Sequence, residues 1–315
     1  MTYKPWIIGF AIGDSMGVPV EFHPRKELKQ NPVISMRGYG THKKPAGTWS
    51  DDTTMTIATM ESIGRLGIID YTDIMTNFAK WFVKDEFTVD GRFDTGNTTR
   101  HAIVRFLKGT PPLYCGDSQE HQNGNGSLMR MMPIALYCHS RYGNQFSEEA
   151  MDIIHDMSAL THAHPISLMC CGFYCLIIAE LLEGLDIPSA ISEGLKKGSR
   201  YYMSKPIFPR YITTVFSRLL DRNFVNLSED DIESSGYVLH SLEVALWCLL
   251  NTTDYKSLIL KAINLGGDTD TNGAITAGIG STVYSVSDLP KQWISSVRNQ
   301  DYLLEIENQF NSRLG

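Results

Sequence analysis

The chain has 315 residues, 43% of them apolar, with 28 basic against 35 acidic side chains and a net charge of −7. That length supports one large domain or two ordinary ones around a sizeable core. The acidic balance argues against a nucleic-acid partner, which needs a concentrated basic face. Six cysteines, at 115, 138, 170, 171, 175 and 248, form no Cys-x-x-Cys pair. Four lie in apolar runs, so they are expected as small buried hydrophobes in a reducing compartment, the cytoplasm, rather than as disulfides.

The N-terminal stretch has a single Lys and an apolar run that soon meets Asp14, unlike a signal peptide. A polar, glycine-bearing segment follows at 13–22 (GDSMGVPVEF), ending on Glu21 and Phe22. His42-Lys43-Lys44, beside Pro45 and Gly47, reads as a solvated loop. A second polar segment, GTWSDDTTM, covers 47–55. Ile74, Phe78, Trp81 and Phe82 then fall on one face of a helix. Two further polar segments are FDTGNTT (93–99) and GNGSLMR (124–130). Ser147 before Glu148 and Glu149 predicts an N-cap with acidic residues at the positive end of the helix dipole. The apolar run Ile166 to Ala179 is too short to span a bilayer and predicts a buried helix.

Leu239, Leu242, Ala245, Leu246 and Leu249 repeat the helical period, as do Leu258, Ile259, Ala262 and Ile263. The last polar segment is NLGGDTDTNGA (264–274). Alternating β-branched runs are almost absent. The expectation is a single all-α domain over residues 1–315, with mobile loops around 110–124 and 201–235.

Ser50-Asp51-Asp52-Thr53 and Asp268-Thr269-Asp270-Thr271 each gather two carboxylates and flanking hydroxyls at the start of an apolar helix. Either pair alone reads as acidic N-caps. Together, four acids with hydroxyls in matching arrangement read as ligands of a hard dication, Mg²⁺ or Mn²⁺, because all-oxygen sets disfavour zinc. Two facing sets suit two ions about 3.5–4 Å apart. Glu21 is a candidate acid or base, or else a surface glutamate. Asp94 is another candidate, or else the first residue of an Asp-x-Gly turn.

Gly124-Asn125-Gly126-Ser127 opens a helix at Leu128-Met129-Arg130, giving amide donors and clearance for an anion such as a diphosphate. A Gly-Asn-Gly turn is its bland alternative. In Thr161-His162-Ala163-His164-Pro165, His162 reads as a ligand contact or cap and His164 as structural. Neither has partners for a zinc site. Met129, Met131 and Met132 read first as core.

Taken in order, these segments resemble the ADP-ribosylglycohydrolase family. The matching motifs are Gly13-Asp14…Gly17…Glu21, Ser50-Asp51-Asp52-Thr53, Gly124-Asn125-Gly126…Met129-Arg130, Thr161-His162 and Gly267-Asp268-Thr269-Asp270-Thr271. Each is modest alone; five in family order are specific. Ser50 stands where the family commonly has Thr, so the hydroxyl is kept.

The resemblance implies an orthogonal all-α bundle with a binuclear Mg²⁺ or Mn²⁺ centre at the bottom of an ADP-ribose cleft. It assigns Ser50, Asp51, Asp52, Asp268, Asp270 and Thr271 as metal ligands. Asn125, Gly126, Ser127, Met129 and His162 would line the ADP-ribose pocket. The segment Asp94 to Asn97 would face the scissile bond and a leaving arginine. The implied reaction is hydrolysis of the C1″ N-glycosidic bond of an ADP-ribosylated protein or small conjugate, by a monomer with no membrane partner. Three alternatives stand beside it: a metal-dependent nucleotide phosphohydrolase, a relative that has lost its metal ligands, and an immunity protein that reverses or blocks an ADP-ribosylating toxin.

Overall fold

The computed structural model describes residues 3–314. Among the described residues there are fifteen α-helices: α1 (Ile7–Gly17), α2 (Arg25–Gln30), α3 (Asp51–Leu66), α4 (Tyr71–Lys84), α5 (Asn97–Leu107), α6 (Met132–Tyr142), α7 (Glu148–Ala159), α8 (Pro165–Leu182), α9 (Ile187–Met203), α10 (Pro209–Thr213), α11 (Val238–Leu250), α12 (Tyr255–Asn264), α13 (Thr269–Gly280), α14 (Lys291–Ser296) and α15 (Gln300–Asn311). Among the described residues there is no strand, only isolated bridges such as Gly124 with Tyr237. The fold is all-α, as expected.

Helix starts follow local chemistry. Ser147 accepts from the Ala150 amide at 3.3 Å, and Asp70 accepts from the Thr72 and Asp73 amides at 2.9 and 3.0 Å. On α4, Ile74, Phe78 and Trp81 are buried as the period requires, while Phe82 packs at the core's edge. Each such side chain contributes about 1.5–3 kcal/mol when fully buried. The buried apolar residues form one contiguous cluster running from Tyr3 to Leu314.

Helix α8 extends beyond the apolar run seen in the sequence, because Glu180 does not end it. At 18 residues it is long and apolar enough to cross a membrane by length and composition, yet 83% of it is buried inside the fold. Glu180 is tolerated there because Lys197 pairs with it at 2.5 Å. All six cysteines are free and buried. The segments expected as mobile loops instead carry short helices and bury Cys115, Phe216, Leu219, Phe224 and Ile232. Trp247 on α11 donates to the Leu227 carbonyl at 3.1 Å, tying one of them down.

Two contacts position the site. Helices α1 and α13 lie against each other through Gly13 and Gly17. A Cβ at Gly13 would fall 2.3 Å from the Gly273 carbonyl oxygen, and one at Gly17 would fall 2.3 Å from the Asp270 nitrogen. Only glycine permits that approach, and it sets Asp14 beside the start of α13. At the far end, Glu307 of α15 accepts from the Trp6 and Ile7 amides at 2.7 and 3.1 Å, capping α1 where Trp6 offers no cap of its own.

Candidate active site

The start of α3 is held by an acid from another helix. Asp14 accepts from the Ser50 amide at 2.9 Å, the Thr53 amide at 3.0 Å and the Thr53 hydroxyl at 2.6 Å. Ser50 is the N-cap; its hydroxyl donates to Asp52 Oδ2 at 2.8 Å. Thr271 reaches across from α13 and donates to the same oxygen at 3.3 Å. Asp14, Asp52 and Asp270 thereby bring one carboxylate oxygen each within 4.8 Å of one another, all fully buried. A second group joins Glu21, His42, Asp94 and Asp270 within the same distance.

Burial is the first cause of a raised pKa throughout this cluster, and at every member but Asp14 neighbouring carboxylates add to it. Asp51, Asp52 and Asp270 are all pushed up. Asp14 is raised to about 6, less than burial alone would do because Thr53 and Ser50 donate to it. Asp94 is raised to about 6 by burial and the charge of Asp268. Glu21 is pushed up to about 10 by burial and the charges of Asp94, Asp268 and Asp14.

Asp52 Oδ1 and Asp270 Oδ2 are buried without a hydrogen-bond partner. Orphaned carboxylate oxygens within a buried acid cluster are what a hard dication satisfies, so the donor set fits Mg²⁺ or Mn²⁺.

Above the acids lies a cavity of about 260 Å³ lined by Glu21, Phe22, Asp51, Asp94, Gly96 to Thr99, Gly124 to Gly126, Met129, His162, Gly236, Asp268 and Thr271. A larger cavity of about 500 Å³ between α9 and residues 212–225 is mostly apolar and gathers no carboxylate cluster. Chemistry rather than size marks the site.

The structure sorts the expected residues. Asp51, Asp268 and Thr271 reach the cavity wall; Ser50, Asp52 and Asp270 lie behind it. Asp268 belongs to neither close acid group. Its Oδ2 accepts from Asn125 Nδ2 at 2.9 Å, so it bridges the acids to the glycine segment. Glu21 is 3% exposed and hydrogen-bonded to His42 Nε2, which removes the surface-glutamate reading. Asp94 sits at φ 50°, in the left-handed region that Asp tolerates better than most residues.

Asn97, Asn125, Gly126, Met129 and His162 come together on the wall of this cavity. Ser127 does not. Its hydroxyl is fully buried and accepts from Ser158 at 2.9 Å, a packing role. The glycine segment opens a 3₁₀ helix (Asn125–Arg130) before α6, not a continuous α-helix.

Behind His162 stands a directed chain of donors. Arg130 is fully buried and donates from Nη2 to Thr161 Oγ1 at 2.9 Å. Arginine cannot accept, and His162 Nδ1, 2.8 Å away, is the one acceptor within reach of the buried Thr161 proton among the described residues. That arrangement favours the His162 tautomer with its proton on Nε2, the nitrogen facing Gly124 and Gly126. Burial and the Arg130 charge hold its pKa down at about 3, so the ring is a neutral donor. His164 caps α8 by accepting from the Ile166 amide, a structural role.

Two members of the site escaped the sequence reading of individual residues. Asp14 was noted only within a motif, although an acid inside the apolar helix IIGFAIGDSMG is itself a signal, since burying it demands partners. His42 read as part of a solvated basic loop; its ring instead packs between Phe22 and Phe93, at 6.4 and 5.2 Å.

Comparison with known proteins agrees with this geometry. The ADP-ribosylglycohydrolase family profile matches residues 3–314. The chain is 30% identical over 307 residues to ADP-ribosylarginine hydrolase Tri1 of Serratia proteamaculans, covering 97% of this chain and 78% of that protein. It is 28% identical to the ADP-ribosyl-[dinitrogen reductase] glycohydrolase of Rhodospirillum rubrum, covering 92% and 88%. A solved structure described as an ADP-ribosylglycohydrolase-related protein complex superposes with a TM-score of 0.79 at 24% identity, covering 98% of this chain and 96% of that one, and so shares the fold. With the acid cluster, the glycine segment and the whole-length match in agreement, this chain belongs to the ADP-ribosylglycohydrolase family.

Proposed function

We propose that the protein hydrolyses the C1″ N-glycosidic bond between ADP-ribose and arginine on a modified protein, using two Mg²⁺ or Mn²⁺ ions. The observation that carries the metal is the pair of partnerless buried oxygens on Asp52 and Asp270. Arginine is supported by the acidic cavity wall and by the name of the 30%-identical relative. The buried free thiols suit a reducing compartment such as the cytoplasm, and a net charge of −7 suits a chain that stays monomeric.

Ser50, Asp51, Asp52, Asp268, Asp270 and Thr271, with Asp14 added by the structure, would hold or brace the ions. When bound, these would supply Lewis acidity and lower the pKa of a nearby water. The chain's own groups do the rest. His162 donates from Nε2 into the cavity, beside the clearance at Gly124 and Gly126 that admits the ADP-ribose diphosphate. Burial, first, and then the charge of Asp94 favour the protonated form of Glu21. Glu21 gives that proton to the leaving nitrogen as the C1″–N bond breaks and recovers one from the water whose hydroxyl ends on C1″. Asp94, ionised at neutral pH, pairs with the guanidinium.

Arginine-, serine- and DNA-linked ADP-ribose, each with Mg²⁺ or Mn²⁺, separate the acceptors. Arginine turnover is expected, and serine or DNA turnover without it would overturn the acceptor assignment. Asp94→Asn should cut turnover of the arginine conjugate far more than affinity for free ADP-ribose. A parallel fall of both would make Asp94 a shaping residue only.

A further inference from the structure

At the mouth of the cavity, next to Glu21, Phe22 combines two features that a fold normally avoids. Its ring is 67% exposed, and its backbone sits at φ 66°, where a bulky residue is a rare outlier. The strain is held in place by the Phe22 amide, which donates to the Gly267 carbonyl at 2.7 Å, just ahead of Asp268. Glycine at this position would relieve the strain and remove the exposed apolar surface. Neither feature serves the core, and strained residues of this kind gather at ligand clamps.

The surroundings specify what the ring meets. Glu21–Phe22 and Phe93–Asp94 are two acid–aromatic pairs flanking His42. Phe93 already has a cation over its face, Lys44 Nζ at 4.9 Å from the ring centre. Among the described residues no such cation covers Phe22. The cavity wall carries Glu21, Asp51, Asp94 and Asp268 and neither Lys nor Arg. A flat aromatic face beside carboxylates selects a planar cation over a neutral base such as adenine.

We infer that Phe22 is the stacking platform for the guanidinium of the acceptor arginine, and so a specificity-determining residue on the leaving-group side. The inference rests on the arginine reading above. Bound this way, the guanidinium lies between the Phe22 face and the Asp94 carboxylate while the ribose end points toward the buried acids.

The test uses wild-type protein, Phe22→Leu, Phe22→Tyr and Phe22→Gly, with an ADP-ribosylarginine peptide and Mn²⁺. Free ADP-ribose binding and thermal melting are measured alongside. Phe22→Leu is expected to raise KM for the arginine conjugate by about 3- to 30-fold, with Phe22→Tyr close to wild type and ADP-ribose affinity unchanged in both. Phe22→Gly is expected to show the same KM defect with a melting temperature equal to or above wild type.

An unchanged KM in Phe22→Leu, while wild type is active, overturns this inference and leaves the arginine reading standing. ADP-ribose affinity falling in step with KM overturns it too, by placing the ring against the adenosine end. A wild type that leaves ADP-ribosylarginine intact defeats the arginine reading and this inference with it.

Discussion

The two sides of the cavity differ in how far the chain completes its own hydrogen bonding. On the glycine–histidine side, the groups that line the cavity are partnered: Asn125 donates to both Ser241 and Asp268, and Thr161 joins His162 to Arg130, whose Nε and Nη1 stay without an acceptor deeper in the fold. On the acid side, Asp52 and Asp270 each keep a buried oxygen without a donor, and every nearby carboxyl with a shifted pKa is raised. The first side is preformed for a polar ligand. The second is unfavourable as it stands and becomes favourable when a cation joins it. The two sides should therefore respond in opposite ways to substitution, to metal and to pH.

The largest effect is expected at the acids. Asp52→Ala or Asp270→Ala should lower turnover by more than about 100-fold, beyond what loss of an outer-sphere contact does. The metal-free variants should melt at or above the wild-type temperature, since each loses a repelled charge. In wild type, Mn²⁺ at 100 times its Kd should add about 2.7 kcal/mol of stability, and in the variants nearly none. A variant that fails to fold without metal would show these acids to be structural.

Next is Gly126→Val. The Cβ would sit 3.0 Å from both His162 Cε1 and Thr99 Oγ1, crowding the approach to the amides and to His162 Nε2. ADP-ribose affinity is expected to fall at least about tenfold, roughly 1.4 kcal/mol, with the metal-induced rise in melting temperature kept. Unchanged affinity would move the diphosphate elsewhere.

Thr161→Val tests the glycine–histidine side from behind. It leaves Arg130 Nη2 and His162 Nδ1 unpartnered, costing about 1–3 kcal/mol. It also frees His162 to change tautomer, readable as a shift of its ring ¹⁵N resonances. A variant as stable as wild type, with the same ring signals, would dismiss the donor chain.

The pH response is smaller. Glu21 is raised from 4.5 to about 10, so between those values the folded state holds more protons than the unfolded state. The stability it contributes is complete below 4.5 and is lost as pH rises toward 10. Metal-free protein should lose about 1 kcal/mol per pH unit between pH 7 and 9 from this group. Glu21→Gln should flatten that slope, and an equal slope in the variant would assign it to other groups.

What the sequence showed and what it hid follow the same division. Ser50 to Asp52 and Asp268 to Thr271 were legible because their acids are adjacent, and adjacency without compensation is anomalous. The helices were legible because their burial is periodic, as at Ile74, Phe78 and Trp81. Features set by long-range packing were not. His42 looks solvated beside Lys43 and Lys44, and only the fold brings it to Glu21. Ser127 shares a segment with Gly126, yet its hydroxyl turns toward Ser158. Helix α8 runs past its apolar stretch to Leu182, and the partner that lets Glu180 be buried, Lys197, lies on the next helix.

The central claim is that the partnerless carboxylate oxygens mark a metal-dependent site for breaking the ADP-ribosyl bond. The most direct measurement is product analysis on ADP-ribosylarginine peptide, using protein stripped with EDTA and then reconstituted with Mg²⁺ or Mn²⁺. The account expects no release after stripping, and free ADP-ribose with unmodified arginine after reconstitution. Full turnover after exhaustive chelation, or release of AMP or phosphate in place of ADP-ribose, would contradict it.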